Sequence, residues 1–258
     1  MNKIPVPLTP VPKPVDPTKT TANITVLMKN LGFAEGSSIA TIYNGSDPQS
    51  PVGSIVTDGR SFTATANTIA KSTLFRRGDS INPTSLADAT EKLGLNSGLG
   101  GVVVIDHGYF DGANILKEQL NDSFYQTVSA ALDPDGARLL LLMGCNVGGH
   151  DGAIEMFTSL ASKYNINIIV ANNDVAFLSG GGEYNSTIQP NGFRWIRVNS
   201  DGTIRYFYGN GYESAAPPTA PPDTGTSTPG APPSVAPPPP SPQSPREPVF
   251  PRDRNLEP

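Results

Sequence analysis

The chain has 258 residues, a formal charge of −5 and a sequence pI near 5.0. It carries no Lys/Arg block on the scale of a nucleic-acid groove, so neither a basic phosphate-binding surface nor a nucleic-acid partner is expected. A single cysteine, Cys145, excludes an intramolecular disulfide framework, and no apolar run approaches the ~20 residues that span a bilayer.

Proline divides the chain. Of 27 prolines, six fall in residues 1–17 and sixteen in residues 215–258. This predicts a proline-rich N-terminal arm over 1–22, one α/β domain over 23–213, and a proline-rich tail over 214–258 that cannot bury a core. The N-terminal segment has no continuous apolar stretch, so no secretory signal is read and a cytoplasmic location is expected, with signal-independent export left open. The tail contains PxxP spacings in "PSVAPPPPSP". They suit either a ligand for a proline-motif-binding partner or a plain spacer, and composition favours the spacer.

Within the domain, "ITVLM" (24–28) reads as a first strand. "SIATIYNG" and "GSIVTDG" follow with alternating apolar positions, which predicts a β-rich opening. "TSLADATEKLG" (84–94) reads as a helix with Thr84 as cap and Gly94 as stop. "GVVVID" (101–106) is a continuous β-branched run, the pattern of a strand covered on both faces.

"NDSFYQTVSAAL" (121–132) spaces Phe124, Val128 and Leu132 at four-residue steps and predicts an amphipathic helix. A second doubly covered strand follows in "ARLLLLM" (137–143). The stretch 151–165 places Ile154, Phe157, Leu160, Ala161 and Tyr164 on one helix face, with Asp151 as cap. "INIIVAN" (166–172) is a third buried strand, and 192–208 reads as a hairpin turning at "NSDG". The β-α-β-α-β order predicts a mostly parallel sheet with helices on its faces, a three-layer α/β sandwich closed by a C-terminal hairpin.

In such sheets chemistry collects beyond the carboxyl ends of the strands. His107 follows "GVVVID" and Cys145 follows "LLLLMG". An imidazole beside a thiol takes its proton and produces a strong nucleophile. Backbone N–H groups of Gly108 and Cys145 are candidate oxyanion donors, because glycine lets the backbone approach a substrate closely. This constellation points to cysteine acyl transfer, most simply peptide hydrolysis, without a cofactor.

"VVVIDHG" followed by "RLLLLMGCNVGG" resembles the caspase-like (clan CD) cysteine peptidases, in which one hydrophobic block ends in His-Gly and a later one in the catalytic Cys. "GCNVGGHDGAIEMFTSLASKYNINIIVANND" and "GGGEYNSTIQPNG" are similar to an uncharacterised bacterial domain of surface and adhesin-like proteins. The self-processing domains of large bacterial toxins are more distant. The resemblance covers roughly residues 100–195 and implies a caspase-like fold. It makes His107 the base, Cys145 the nucleophile and Gly108 an oxyanion contributor. The motif Q-A-C-[RQG]-G is absent, so a demand for aspartate before the cut is not carried over.

Other residues are weaker candidates. Asp174, past the third buried strand, would favour a basic side chain in a specificity pocket, although a solvated loop carboxylate is the commoner role. His150, the other histidine, is a candidate for the base in place of His107 or for a substrate contact, although an exposed loop histidine is the commoner role. Asn146 beside Cys145 is a substrate-contact candidate. His107, Cys145, His150 and Asp151 supply four metal-ligating side chains but lack the paired spacing of a metal site, so no metal is expected. Asp106 reads as a loop cap or as facing away from His107. Two functions remain: a cysteine endopeptidase, with self-cleavage in a proline-rich arm as a corollary, or a non-catalytic caspase-like anchoring module whose arms mediate association.

Overall fold

In a computed structural model of the chain, residues 21–46, 59–109, 112–145, 147–172, 175–177, 183–186, 193–209 and 211–214 are described. In chain order they form β1 (Thr21–Asn23), α1 (Ile24–Asn30), β2 (Ser38–Tyr43), α2 (Gly59–Ala70), β3 (Arg77–Ile81), α3 (Leu86–Gly94) and β4 (Gly101–Ile105). The short strands β5 (Gly108–Tyr109), β6 (Gly112–Ile115) and β7 (Glu118–Gln119) follow, then α4 (Asp122–Ala131), β8 (Leu139–Met143), α5 (Ala153–Tyr164) and β9 (Asn167–Ala171). The remaining strands are β10 (Val175–Phe177), β11 (Glu183–Ser186), β12 (Phe193–Val198) and β13 (Ile204–Tyr208). Apart from Thr21 and Ala22, which begin β1, and Ser214, the proline-rich arms lie outside the described residues.

Seven strands make the main sheet, in the order β13-β12-β9-β8-β4-β2-β3. Five of them, β9 to β3, run parallel, and β12 and β13 close one side antiparallel. Alternation along the strands sorts side chains between two cores. Ile39, Val103, Ile105, Leu141, Met143 and Trp195 join Ile24 and Leu27 of α1 and Phe62 and Ile69 of α2. Their neighbours Ile42, Val102, Val104, Leu140 and Leu142 meet Leu93 of α3, Phe124 and Val128 of α4 and Phe157 of α5. Because both faces of β4 and β8 are covered, all five residues in each are buried. At about 1.5–3 kcal/mol per large apolar side chain, this double burial is the main stabilisation of the sheet. The three-layer α/β arrangement with a mostly parallel sheet agrees with the reading of the sequence. No described helix is long and apolar enough to cross a membrane.

Chain direction explains the faces. From β2 the chain crosses to β3 over the α1/α2 face, then returns past β2 to β4 over the other face and continues through β8 to β9. Reversal of direction along the sheet is matched by a change of face, so the crossovers share one hand, as the twist of parallel strands requires. The reversal puts a topological switch point between β2 and β4.

Several local readings are corrected. "ITVLM" is not a strand but the helix α1. The Oδ1 of Asn23 accepts from the N–H groups of Thr25 (3.0 Å) and Val26 (3.2 Å), which caps the helix. Ile24, Leu27 and Met28 then fall on one buried face while Val26 stays 46% exposed, so helical spacing overrides the β preference of the β-branched residues. The β-rich opening is found in β2. The segment "GSIVTDG" lies outside the described residues up to Asp58, and its Gly59 begins α2, a helix the sequence pattern did not reveal.

The cap of α3 is Ser85, whose hydroxyl accepts from Asp88 N–H at 3.1 Å, one residue later than Thr84. Thr84 instead donates its own N–H to the Asp88 carboxylate at 2.7 Å. Asp151 does not cap α5 either. That position belongs to Gly152 in the left-handed conformation (φ 77°), with no side-chain cap bond. The helix 121–132 is found as α4, capped by Asn121, and the hairpin turns at Asn199–Gly202 as expected.

Replacing Asn23 with alanine is expected to cost about 1 kcal/mol of stability in urea unfolding, the loss typical of a helix cap. An unchanged midpoint would contradict the capping role.

Candidate active site

Parallel pairing of β4 with β8 sets the geometry. Ile105 lies opposite Met143 at the last paired level. Two residues further on, each chain leaves its strand at the same height, with His107 beside β4 and Cys145 beside β8. Neighbouring strands run about 4.8 Å apart, so the two residues leave from adjacent positions on one rim. Both are half-buried, in contrast to the fully buried Met143 just before Cys145. Alternation continues into His107: like Val103 and Ile105 it faces the α1/α2 layer. Its imidazole meets the ring of Phe62 on α2 edge-on, with centroids 5.3 Å apart and planes at 71°.

Gly108 sits directly on the Cys145 backbone. A Cβ at Gly108 would overlap the Cys145 carbonyl oxygen and lie 2.7 Å from its nitrogen, closer than real Cβ atoms come. The loop after Cys145 is equally tight. Gly148 donates its N–H to the Ala171 carbonyl at 2.7 Å, and a Cβ there would run into the side chain of Val170. Glycine flanks the thiol because the loop between β8 and α5 is pressed against the ends of β4 and β9. The backbone of Gly108 is thus packed directly on that of Cys145.

Behind His107 stands Asp106, 4% exposed, on the opposite side of β4. Its Oδ1 accepts the His107 N–H at 2.7 Å and an Asn44 amide N–H at 3.1 Å, and its Oδ2 accepts the Leu116 N–H at 2.6 Å. The three donors come from the ends of β2 and β4 and from the turn after β6. Leu116 and Lys117 in that turn both have positive φ, 54° and 67°. Burial pushes the Asp106 carboxyl above its usual range, opposed by these three hydrogen bonds and by the charge of His107. A small cavity of ≈ 10 Å³, room for about one water, lies between the ends of β4 and β8 and is lined by Asp106, His107, Asn114 and Gly144.

The other candidates separate. Asn146 and Asp174 lie outside the described residues. His150 is half-buried in the turn before α5, where its Nδ1 lies 3.2 Å from the Asp151 carbonyl oxygen, and its Nε2 is enclosed with no hydrogen-bond partner. Its ring bonding stays within its own turn. Among the described residues no group of three His, Cys, Asp or Glu side chains is placed to hold a metal ion.

Sequence patterns did not reveal Asn44, Phe62 or Leu116 as neighbours of this rim. Asp106 was visible only as a residue adjoining His107, and its reading as a loop cap matches its three bonds. The chain matches no protein-family model, and no curated protein matches it.

Two outcomes test this arrangement. Gly108→Ala is expected to lose about 1–3 kcal/mol through forced displacement of the Cys145 backbone. The control Gly94→Ala, whose Cβ would meet Thr127 at an ordinary 3.7 Å, should be neutral or stabilising by up to about 1 kcal/mol. Urea unfolding of both variants decides it, and equal effects would refute the close approach.

The second outcome concerns pH. The folded Asp106 carboxyl binds its proton more tightly than the unfolded one, so its contribution to stability is greatest at low pH and falls as pH rises through the raised value. The stability gap between the parent and Asp106→Asn should therefore narrow from about pH 4 to about pH 7. A gap that widens over that range would show that hydrogen bonding, not burial, dominates this group.

Proposed function

We propose that the protein is a cysteine endopeptidase of caspase-like architecture, with Cys145 as nucleophile and His107 as its base. The observation that carries the reading is the β4–β8 register, which sets both residues at one level on neighbouring strand ends, half-buried rather than sealed in the core. A core cysteine of the ordinary kind would sit within the strand, among residues such as Met143. The resemblance of the His-Gly and Gly-Cys-Asn blocks to caspase-like peptidases supports the same assignment.

In this mechanism the His107 imidazole takes the Cys145 proton, and the thiolate attacks the carbonyl carbon of a peptide bond. A carbon–sulfur bond forms while the carbonyl π electrons move to oxygen, toward the N–H groups of Gly108 and Cys145. Collapse re-forms the carbonyl and breaks the C–N bond, and the departing amine takes the proton from the imidazolium. Water, deprotonated by His107, then attacks the thioester, and the thiolate leaves with the acid as second product. No redox step or cofactor is involved. Candidate substrate contacts are Asn146, His150 and Asp174. The substrate is a peptide or protein, and the proline-rich arms are candidate sites of self-cleavage.

The single thiol makes the test direct. Iodoacetamide alkylation of the folded parent should proceed at about pH 6.5 at least ~10-fold faster than in His107→Ala, because an unassisted thiol is then about 1% thiolate. Cleavage of a peptide library by the parent, and its loss in both Cys145→Ala and His107→Ala, should accompany this. Alkylation only on unfolding, or a rate indifferent to His107, would refute the dyad.

A further inference from the structure

A buried carboxylate that accepts three N–H donors from three separate segments is an expensive arrangement, because burying charge costs several kcal/mol unless it is fully bonded. Asp106 meets that condition. Its two oxygens hold the backbone N–H of His107, the side-chain amide of Asn44 and the backbone N–H of Leu116. Asparagine could not replace it, because an amide would turn an NH₂ group toward one of the donors.

The location is equally specific. Asn44 and Asp106 stand at the carboxyl ends of β2 and β4, the two strands flanking the topological switch point, where open α/β sheets leave a crevice. Here the Asn44–Asp106 bond ties the two ends together. Asn44 is held again by its N–H, which donates to the Ile105 carbonyl at 3.2 Å, and its Oδ1 accepts from the Ser46 hydroxyl at 3.1 Å. The Leu116 bond anchors a turn of two consecutive positive-φ residues, a conformation that needs outside support.

From this geometry we infer that Asp106 is a positioning residue for the proposed dyad: it touches no reacting atom, but fixes the backbone on which His107 and Gly108 approach Cys145. The inference rests on the endopeptidase reading above. The carboxyl group approaches from the far side of β4 and holds His107 by its backbone N–H, leaving the imidazole on the opposite face. Phe62 closes the ring from the α2 side. His107 is thereby held between a buried carboxyl group acting through its own backbone and an aromatic edge.

A double-mutant cycle on the alkylation rate of Cys145 tests this with the full chain. The four proteins are the parent, His107→Ala, Asp106→Asn and the double variant, each checked for its folded state by circular dichroism. Asp106→Asn is expected to slow alkylation by about 5-fold at about pH 6.5, and to add nothing in the His107→Ala background. Equal slowing in both backgrounds would show that Asp106 acts on the thiol or its loop without His107, and would overturn the inference. A parent rate equal to that of His107→Ala would instead remove the dyad itself, a separate failure. If Asp106→Asn does not fold, Asn44→Ala removes one of the three donors and leaves the carboxylate in place. It should slow alkylation about 2-fold, again only when His107 is present. An Asn44→Ala rate equal to the parent's would overturn the inference by itself.

Discussion

The parallel hydrogen bonding of β4 to β8 is the constraint on which the site depends. Five residue pairs, Gly101↔Leu139 through Ile105↔Met143, lock the strands in one register. Slippage by one residue would turn Val103, Ile105, Leu141 and Met143 out of the α1/α2 core and into the other. Both cores are filled with large apolar side chains, so the register is fixed twice, once from each face. His107 and Cys145 inherit their relative height from this pairing. They come from positions separated by a whole crossover, and no local sequence feature links them.

The same alternation divides labour across β4. Odd positions point toward α1 and α2 and lead to His107; even positions point toward α3, α4 and α5 and lead to Asp106. The histidine and the carboxylate that holds its backbone therefore stand on opposite faces by necessity, because they are consecutive residues of one extended chain. A carboxylate on the face of His107 would compete for the imidazole directly. On the far face it bonds the loop backbone instead, through the N–H groups of His107 and Leu116.

The legible parts of the fold were those with strong, uninterrupted patterns. "GVVVI", "LLLLM" and "NIIVA" read as doubly covered strands because nothing polar breaks them, and α4 and α5 were visible through their four-residue steps. The elements that were not legible failed for separate reasons. "ITVLM" is rich in β-branched residues, yet Asn23 captures the N–H groups of Thr25 and Val26 and the segment turns helical, so one capping side chain outweighed the propensity of the run. In α2, "GRSFTATANTIA", small and hydroxyl residues dilute the apolar stripe: among its described side chains the buried ones are Phe62, Thr65, Ala66 and Ile69. The strand β3, "RGDSI", is an edge strand with a single buried residue and carries almost no apolar signal. At the site, His107 and Cys145 were legible as strand-end residues, but Asn44 and Leu116 reach Asp106 only through long-range pairing.

The placement of a lone cysteine between glycines follows from these constraints. Within β8 a thiol would be enclosed on both sides by apolar side chains, and the cost of burying its charged form would keep it protonated. Two residues beyond the strand it escapes that enclosure but enters a crowded rim, where the ends of β4 and β9 leave no room for side chains on the neighbouring backbone. Gly108 and Gly148 resolve the crowding: each occupies a point where a Cβ would collide with the opposing chain. A thiol exposed enough to react must sit at a strand end. At this strand end the packing is by backbone rather than by side chains, and glycine at 108 and 148 is what permits it.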